Sequence, residues 1–545
     1  MSSGSIDWSG AQHGEPALDE CGQAIEEMLR SGQTQIVKDG PYRTIHRVHL
    51  ASNDFHVKHC KVRGFRSWMR EWLRPAKAKL EYRKLAEALR RNIATIQPIA
   101  YGVTPSKFPG DSYLVTRTIA DALPLSRFLS GPGALDVLSA LKRTRLAVAL
   151  GKFLARIHHA GLLHPDLHPG NILVRPLENQ FEFCLIDLHD AKLGGSLSPS
   201  ASMRNLIIFN RWFSLRTNRT DRLRFWRAYV VERARLAKRM IIDYFACREL
   251  EQSTRESNTR FWRRRTTRCV GGSRHFVAVY GPAAVGFAPR TGMPDELEKL
   301  LADPDRPFGD AETRLLKDSP SSTVAQLTIS INGVPQSVIY KRFRRRSRWQ
   351  ALRSLVRRTK CLRSWMLGHA FLDCLLPTAR PLAVFERRRR GLAGDGYLIM
   401  EKIENAIDLR QASIDNTKKP QRIEMAARLI RQLHERGWSH RDLKAANILL
   451  APGPTGEEQA WFIDLVGAMR PFRLAERRRM RDLARLNASF LAPGCLSRSD
   501  RLRFLFCYLN AGLGGRKDWK NWWNGIGRFV ERKVEKNRRR ERPLA

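Results

Sequence analysis

Two short stretches of the chain carry the same polar residues at the same spacing. In each, a His-x-Asp-Leu segment is followed by an asparagine five residues after the aspartate, and a second aspartate ends a β-rich run. The residues are Asp166, Asn171 and Asp187 in the first stretch, and Asp442, Asn447 and Asp464 in the second. Phosphoryl transfer needs metal ligands and a carboxylate that orients the acceptor hydroxyl, and these residue types supply both.

A lysine that could hold nucleotide phosphates lies upstream of each stretch. Lys58 ends one alternating strand pattern, and Lys341 ends another, in which Asn-Gly at 332–333 predicts a tight hairpin turn. A helical pattern follows each lysine, over 77–91 and 361–376. Each copy of the polar motif is therefore preceded by a strand that carries a cation and by a helix that can support it.

Constant offsets between matching residues indicate an internal repeat. The offset is 276 residues for the first aspartate and for the asparagine, and 277 for the second aspartate (442 − 166, 447 − 171 and 464 − 187). Such constancy across three polar residues predicts two copies of one domain. The predicted organisation is a polar N-terminal lead-in at 1–33, a first domain at 34–247, a basic linker at 248–309, a second domain at 310–530 and a basic C-terminal tail at 531–545.

Composition and charge limit the class of protein. The 545 residues include 97 Lys and Arg against 53 Asp and Glu, a net charge of 97 − 53 = +44 that attracts polyanions. No apolar run reaches the length of roughly 18 residues that a membrane span needs. The N-terminus lacks the pattern of a signal peptide, so we expect a cytoplasmic protein. Nine cysteines without a CxxC pair predict reduced thiols and no disulfide framework or structural zinc site.

The linked motifs resemble those of known kinases. HRDLKAANILL resembles the catalytic loop H-R-D-L-x-x-x-N of protein kinases, and Asp187 and Asp464 resemble the aspartate of the D-F-G motif. Within that superfamily the chain is similar to the bacterial lipopolysaccharide core kinases, the Kdo and heptose kinases. This resemblance covers roughly 35–245 and 310–525, and its segments are VKH, YKRF, LPTARPLAVFE, YLIMEKI and RDLARLNASFL.

The resemblance implies both a fold and an activity. The implied fold class is α+β, with two tandem protein-kinase-like domains that each have a small antiparallel-sheet N-lobe and a helical C-lobe. ATP and Mg2+ would bind between the lobes, and phosphate would pass to a sugar hydroxyl of the lipopolysaccharide inner core. The implied partner is that core glycolipid or another phosphorylated glycolipid. Peripheral contact with the anionic inner face of the cytoplasmic membrane is expected, and nucleic acid is not.

The resemblance also implies a role for each candidate residue. In the first copy, Lys58 would hold the ATP phosphates and pair with Glu81, Asp166 would be the catalytic base, and Asn171 and Asp187 would hold magnesium. In the second copy, the matching residues are Lys341 for the phosphates, Asp442 for the base, Asn447 and Asp464 for the metal, and Lys444 near the transferred phosphate. Glu71 is a competing candidate for the partner of Lys58.

Several features depart from the protein-kinase pattern. Neither copy has a clear G-x-G-x-x-G loop or an A-P-E motif. In the first copy, Pro165 replaces the arginine of the catalytic loop, and His168 stands where the second copy has Lys444. Segment 364–372 has no acidic residue, so the second copy offers no evident partner for Lys341. These departures argue against a conventional protein substrate, and against activation-loop control of the first copy.

Three other interpretations remain open. The first is a Ser/Thr protein kinase, which HRDLKAAN favours. The second is a kinase-like scaffold in which one or both copies are non-catalytic. The third is a nucleic-acid-binding protein, which only the charge suggests. The Arg-rich segments 343–349, 386–391 and 476–481 are either solvated surface or a basic face for phosphate groups, and 519–533 is either an interfacial amphipathic segment or a core helix.

Overall fold

A computed structural model describes most of the chain and divides it into two compact units, Met1–Ser257 and Asn258–Ala545. The described residues are 6–10, 18–50, 53–105, 110–130, 138–238, 245–345, 347, 354, 356–389, 392–413, 417–453, 456–492, 495–509 and 518–539. Parts of the Arg-rich segments 343–349 and 386–391 lie outside these residues.

The first unit is built on an antiparallel sheet in the order β1-β5-β6-β4-β3-β2, with two smaller sheets of order β10-β9-β7 and β11-β8. Its strands are β1 Asp7–Gly10, β2 Gln35–Lys38, β3 Arg43–Leu50, β4 Asn53–Cys60, β5 Pro98–Val103, β6 Ser112–Arg117, β7 Leu123–Pro124, β8 Leu162–Leu163, β9 Ile172–Pro176, β10 Phe181–Leu185 and β11 Lys192–Leu193.

Helices form the larger part of this unit, and most of them bury their apolar faces in its main core, while α1 packs against the sheet in a smaller one. They are α1 Leu18–Ser31, α2 Phe65–Leu73, α3 Lys77–Arg90, α4 Leu125–Phe128, α5 Ala140–His159, α6 Pro199–Phe213, α7 Arg219–Ala237 and α8 Phe245–Thr266, with 3-10 turns at Pro169–Asn171 and Leu188–Asp190. In α5, Leu146, Leu150 and Leu154 recur at helical spacing and are buried. Ser139 caps that helix by accepting a hydrogen bond from the Lys142 main-chain N–H at 3.2 Å.

The second unit repeats this plan with one more strand in its main sheet. The order β13-β17-β18-β16-β15-β14 matches that of the first sheet, and β12 pairs with the outer side of β13. Its strands are β12 Phe276–Tyr280, β13 Ala284–Pro289, β14 Arg314–Ser319, β15 Ser322–Ile331, β16 Val334–Phe343, β17 Pro381–Arg389, β18 Leu392–Glu401, β19 Ile407–Asp408, β20 Ile448–Pro452 and β21 Glu458–Phe462. Its helices are α9 Leu297–Ala302, α10 Lys360–Asp373, α11 Leu409–Ala412, α12 Lys419–Glu435, α13 Glu476–Ala488, α14 Arg498–Leu509 and α15 Trp519–Arg538.

The tight turn predicted at 332–333 is present. Asn332 and Gly333 both have positive φ, 53° and 76°, and they join β15 to β16 with Ile331 opposite Val334. Asparagine and glycine are the residues that adopt such angles at low cost, so the turn fixes the pairing of the two strands. That pairing places Lys341 opposite Val324, in the same way that β3 and β4 place Lys58 opposite Ile45.

The predicted α+β class, with small antiparallel sheets and helical lobes, is confirmed. The structure differs from the sequence analysis at the edges of the domains. The lead-in 1–33 contains β1 and α1, the linker 248–309 contains most of α8 together with β12, β13 and α9, and α15 continues into the tail to Arg538. The charged composition of these segments concealed apolar residues that the cores use, such as Ile25, Leu250 and Trp262.

Two other features bear on the class of protein. None of the described helices carries an apolar window of the length and hydropathy required to cross a membrane. The cysteines whose side chains are described are all free thiols, and most of them are buried.

Candidate active sites

In the first unit, Lys58 lies at the centre of a buried ion-pair network. Its Nζ is 2.6 Å from Glu81 Oε2 on α3 and 2.8 Å from Asp187 Oδ1. Only 12% of the Lys58 side chain and 2% of that of Glu81 is exposed. Burial alone would lower the pKa of Lys58, but the charges of Glu81 and Asp187 outweigh it and raise that pKa. The predicted pair of Lys58 and Glu81 is therefore present as a contact.

Asp187 is held by three side chains. Besides Lys58, its carboxylate accepts from Arg43 Nη1 at 2.8 Å and lies 2.8 Å from His189 Nδ1. Burial opposes ionisation, yet the hydrogen bond from His189 and the charges of Lys58 and Arg43 hold the pKa of Asp187 well below its usual range. The same carboxylate raises the pKa of His189. A left-handed backbone at Asp187, φ 65°, turns the chain from β10 toward these partners.

Glu71, the competing candidate for the partner of Lys58, has other contacts. Its carboxylate pairs with Arg70 at 2.9 Å and accepts from the Lys77 main-chain N–H at 3.2 Å. It therefore connects α2 to the start of α3. A cavity of about 200 Å³ lies beside the Lys58 network, and its lining includes Arg43, Lys58, Glu81 and His189.

The loop between β8 and β9 holds Asp166 next to Asn171. Asn171 Nδ2 donates to the Asp166 carbonyl oxygen at 2.9 Å, which leaves the amide oxygen available as a cation ligand. The Asp166 side chain is 77% exposed, and His168 Nε2 lies 3.5 Å from its Oδ2. The hydrogen bond from His168 is the largest cause of a lowered Asp166 pKa, so this carboxylate is ionised at neutral pH. His164 supports the loop by accepting from the Asp166 main-chain N–H at 3.2 Å.

The second unit brings Lys341 to the equivalent aspartate without a glutamate. Lys341 Nζ lies 3.0 Å from Asp464 Oδ1, and its charge outweighs burial and lowers the pKa of Asp464. Asp464 also has a left-handed backbone, with φ 54°. The position that corresponds to Glu81 is occupied by Ser364, whose hydroxyl donates to the Lys360 carbonyl oxygen at 3.0 Å.

A shared threonine contact establishes that correspondence. Thr95 Oγ1 donates to the Leu185 carbonyl oxygen, and Thr378 Oγ1 donates to that of Phe462, both at 2.8 Å. Glu81 lies fourteen residues before Thr95 (95 − 81), and Ser364 lies fourteen residues before Thr378 (378 − 364). The helix therefore reaches the same place in both units, and only the side chain differs.

The catalytic-loop residues of the second unit also come together. Asn447 Nδ2 donates to the Asp442 carbonyl oxygen at 2.7 Å, and Lys444 Nζ lies 3.8 Å from Asp442 Oδ2. Asp482 on α13 supports the loop from below, because it accepts from the main-chain N–H groups of His440 at 3.0 Å and Arg441 at 3.2 Å. Asn205 takes this place in the first unit, where its Nδ2 donates to the His164 carbonyl oxygen at 2.6 Å.

A model of the lipopolysaccharide kinase (Kdo/WaaP) family matches residues 22–229 and 335–508, which is more than half of the chain and includes part of each unit. The chain belongs to this family. Similar curated proteins are the 3-deoxy-D-manno-octulosonic acid kinases of Xanthomonas campestris pv. campestris (strain B100) and Haemophilus influenzae (strain 86-028NP). The first is 38% identical over 137 residues, 25% of this chain and 51% of the relative; the second is 32% identical over 112 residues, 20% of this chain and 46% of the relative.

The chain thus spans about half the length of the curated relatives it matches. Among solved structures, WaaP in complex with acyl carrier protein is similar, with 24% identity and a TM-score of 0.32. That match covers 45% of this chain and 97% of the WaaP chain.

Within this family member, two residues at the first site were missed by the sequence analysis. Arg43 on β3 lies opposite Cys60 on β4. In the second unit the matching position is Ser322, which lies opposite Phe343. His189 follows Asp187 by two residues, where the second unit has Val466. The repeat itself gave no signal for either residue, because both differ between the copies. Their proximity to Asp187 follows only from the pairing of β3 with β4 and the turn after β10.

The residues of the first site suit a divalent cation. Glu81, Asp187 and His189 each offer a ligand atom, and these atoms lie within 4.8 Å of one another. Asp187 and Asn171 also present the carboxylate and amide oxygens that Mg2+ prefers. In the second unit, Asp464 and Asn447 offer the same pair of oxygen ligands.

Proposed function

We propose that the protein is an ATP-dependent phosphotransferase that phosphorylates a sugar hydroxyl of the lipopolysaccharide inner core. The observation that carries the proposal is the contact of Lys58 with both Glu81 and Asp187, beside the loop that holds Asp166 and Asn171. Phosphoryl transfer relies on positioning and charge stabilisation, and this arrangement supplies both. Membership of the lipopolysaccharide kinase family supports the choice of acceptor.

Each residue of the first unit has a defined task in this proposal. Lys58, fixed by Glu81, binds the α- and β-phosphates of ATP. Asp187 and Asn171 hold Mg2+, which neutralises charge on the transferring phosphate. Asp166 is ionised at neutral pH, as an aspartate with an ordinary or lowered pKa is, so it can accept the proton of the sugar hydroxyl as that oxygen attacks the γ-phosphorus. ADP leaves, and the proton passes from Asp166 to solvent.

The second unit has the same tasks with a weaker nucleotide site. Lys341 binds the phosphates, Asp464 and Asn447 hold Mg2+, Asp442 accepts the proton, and Lys444 stabilises the transferring phosphate. Lys341 lacks the buried glutamate that fixes Lys58. We infer that the first unit binds ATP more tightly and that turnover by the second unit relies more on the residues of its catalytic loop.

The acceptor is presented at a membrane surface in this proposal. A net charge of +44 favours peripheral contact with an anionic bilayer and with phosphorylated glycolipids. We propose that the protein acts on the inner face of the cytoplasmic membrane.

The test measures ATP turnover with and without purified core glycolipid. It compares the intact chain with Asp166→Ala, Asp442→Ala and the double variant. Matched controls are Glu178→Ala and Glu457→Ala, two exposed carboxylates in the β9–β10 and β20–β21 loops. We expect glycolipid to stimulate turnover, Asp166→Ala to remove most of it, and the double variant to remove all of it. Turnover that remains in the double variant, or turnover that the glycolipid does not stimulate, would contradict the proposal.

A Ser/Thr protein kinase is the second candidate function. It is favoured by Lys444, whose Nζ lies 3.8 Å from Asp442 Oδ2 in a loop of the protein-kinase type. Replacing the glycolipid with a mixture of peptides that contain serine and threonine separates the two. Transfer to the peptides that Asp442→Ala abolishes, with none to glycolipid, would favour the protein kinase.

A further inference from the structure

A strongly basic cavity lies between α13 and α15 of the second unit. Its volume is about 380 Å³. The cationic side chains that line it are Arg481, Arg485, Arg532, Lys533 and Lys536. Arg481 lies in segment 476–481, for which the sequence left open a solvated surface or a basic face for phosphate groups, and Arg532 and Lys533 lie in 519–533, left open between an interfacial segment and a core helix. In the structure, the two helices bring these cations together around one recess.

Most of these cations have no acidic partner. Arg485 pairs with Asp482 at 3.3 Å. Arg481 and Arg532 lie over the ring of Phe529, at 5.3 and 5.9 Å from its centroid. Within the described part of the chain, no carboxylate lies within 4.0 Å of a cationic atom of Arg481, Arg532, Lys533 or Lys536. So many positive charges in one recess repel one another unless an anion joins them.

A second cleft of this unit shows the contrast. It contains Arg428, Arg431 and Arg503, and the first two have partners within the protein. Arg428 donates to Glu424 at 2.8 Å, and Arg431 donates to the Cys507 carbonyl oxygen at 2.7 Å. This cleft therefore has a carboxylate, Glu424, in its own lining, whereas the residues that line the basic cavity include none.

The basic cavity is connected to the catalytic loop. Arg485 in its wall contacts Asp482, and Asp482 accepts the main-chain N–H groups of His440 and Arg441, next to Asp442. The cavity wall and the loop therefore share one buried carboxylate.

The other side of the cavity is electrostatically coupled to the same loop. Burial lowers the pKa of Lys533, the charges of Arg485, Lys444 and Lys536 lower it further, and that of Asp442 opposes them. Lys533 is therefore within electrostatic reach of the residue proposed to orient the acceptor hydroxyl.

The first unit is built differently at this point. Asn205 and Asp482 contact the equivalent histidines His158 and His434, which sets an offset of 277 (482 − 205). At that offset Ile208 replaces Arg485. Arg204 does match Arg481 at this offset, so the part of the wall that differs between the copies is Arg485, the residue that contacts Asp482.

We propose that this cavity binds a phosphate group carried by the acceptor glycolipid, next to the sugar hydroxyl that Asp442 orients. The inference rests on the proposed function, because it takes the acceptor to be a phosphorylated glycolipid. Arginine and lysine donors converging in a recess suit a phosphate dianion, and the cavity has room for one with part of its sugar. The cavity gives the second unit selectivity for acceptors that already carry phosphate.

The first test measures the acceptor KM of the full chain carrying Asp166→Asn, so that transfer reports on the second unit. Lys533→Gln/Lys536→Gln is compared with Arg528→Gln/Arg538→Gln, which removes the same charge from exposed positions of α15 outside the cavity. Each is assayed with core glycolipid before and after phosphatase treatment. We expect the cavity variant to raise the KM for the phosphorylated acceptor about tenfold or more, since charged hydrogen bonds are lost.

The phosphatase arm tests the pairing of phosphate and cavity. For the dephosphorylated acceptor, the cavity variant, the control variant and the parent chain should share one raised KM. The KM for ATP should be unchanged throughout. If the cavity and control variants raise the acceptor KM equally, the effect comes from the overall charge of the protein and the proposal is overturned.

A second test measures binding without turnover. Lysine acetylation is followed by mass spectrometry in the full chain carrying Asp166→Asn/Asp442→Asn, with inorganic phosphate or core glycolipid added. Protection of Lys533 and Lys536 by the phosphorylated glycolipid at micromolar concentration, with Lys520 unaffected, supports the proposal. If the intact chain transfers no phosphate to the glycolipid but this protection is seen, the proposed function fails and the cavity assignment stands. Protection by inorganic phosphate alone, or equal protection of Lys520, overturns the assignment.

Discussion

The two units share a scaffold but differ in the charge around the aspartate that is proposed to bind the metal. Both place a lysine at the same position of the sheet and hold the following aspartate in a left-handed conformation. In the first unit Asp187 contacts two cations and an imidazole, and Glu81 fixes the lysine. In the second, Asp464 pairs with Lys341, and Ser364 occupies the position of Glu81. Backbone geometry was retained, while the side chains that set electrostatics diverged.

The loops that hold Asp166 and Asp442 also differ, but here the second unit has the additional charged residues. The second unit has a lysine beside its proposed base and a buried aspartate, Asp482, beneath the loop. The first unit has His168 and Asn205 at these places. Under the proposed function, the first unit is therefore better equipped to bind the nucleotide, and the second is better equipped around the acceptor.

The largest expected effect follows from Lys58→Met. Removing this cation leaves the carboxylate of Glu81 buried without a counter-ion, which costs about 3–5 kcal/mol of folding free energy. It also removes the cation proposed to bind the α- and β-phosphates of ATP, so turnover by the first unit should fall by about 100-fold or more. Urea unfolding and ATP turnover measure the two effects separately.

Lys341→Met is the matched change in the second unit. Asp464 is 40% exposed, so loss of its partner should cost less than about 1 kcal/mol. Lys58→Arg keeps the charge and tests whether the first effect is electrostatic even if Lys58→Met folds poorly. Equal stability losses for Lys58→Met and Lys341→Met would break the comparison.

Ser364→Glu should move the second unit toward the first. The new carboxylate would extend from α10 at the position from which Glu81 reaches Lys58. In a chain that carries Asp166→Asn, so that turnover reports on the second unit, we expect the KM for ATP to fall about tenfold, the effect of one charged contact. Ser364→Gln has the same size without the charge and should not lower this KM. A fall with glutamine as well would attribute the change to packing.

The pH dependence of stability should also differ between the units. Burial lowers the pKa of His158 to about 4, whereas the unfolded value is near 6.5. Between these values the unfolded chain binds more protons, so the contribution is complete above about pH 6.5 and is lost as pH falls toward 4. The total is about 3 kcal/mol. Free energies of unfolding measured in urea at pH 7.0 and 5.0 give the loss.

Exchanging one side chain tests the cause of this dependence. Burial also lowers the pKa of His434, but the hydrogen bond and the charge of Asp482, 3.4 Å away, oppose that effect. Asn205→Asp gives His158 a similar partner and should reduce the loss of stability at pH 5.0. Asp482→Asn should increase that loss in the second unit. If neither change alters the pH dependence, histidine protonation is not its source.

The polar motifs of the site could be predicted because they repeat. Asp166, Asn171 and Asp187 recur at offsets of 276 and 277, and the Asn-Gly turn before Lys341 indicated its strand. Spacing along the chain carried this information. The fold class followed from the same motifs through the family that they resemble.

The remaining features depend on contacts between distant segments. Arg43 reaches Asp187 across 144 residues, and its type is not repeated in the second copy. β12 and β13 lie in segment 248–309, whose charged composition predicted a linker. In the structure, alternate residues of β13 are buried. Neither feature has a local signal, because pairing partners and burial are properties of the folded chain.

The smallest expected effect concerns the scaffold that both units share. Thr95→Val and Thr378→Val each remove a buried hydroxyl that donates to a main-chain carbonyl oxygen at 2.8 Å while keeping the volume of the side chain. The carbonyl oxygen loses this donor, so each change should cost about 1–2 kcal/mol. Thr→Ser at each position retains the hydroxyl and should cost less, and urea unfolding of the full chain measures all four variants.

This experiment tests whether Thr95→Val and Thr378→Val lower the free energy of unfolding by the same amount. The threonine contact joins the segment after α3 or α10 to the strand before Asp187 or Asp464, and its distance is 2.8 Å in both units. If the scaffold is common and only the charges have diverged, the two valine variants should agree within about 0.5 kcal/mol. A clear inequality would mean that the altered charges at Glu81 and Ser364 extend their influence into the scaffold. The nucleotide site and its support would then have diverged together.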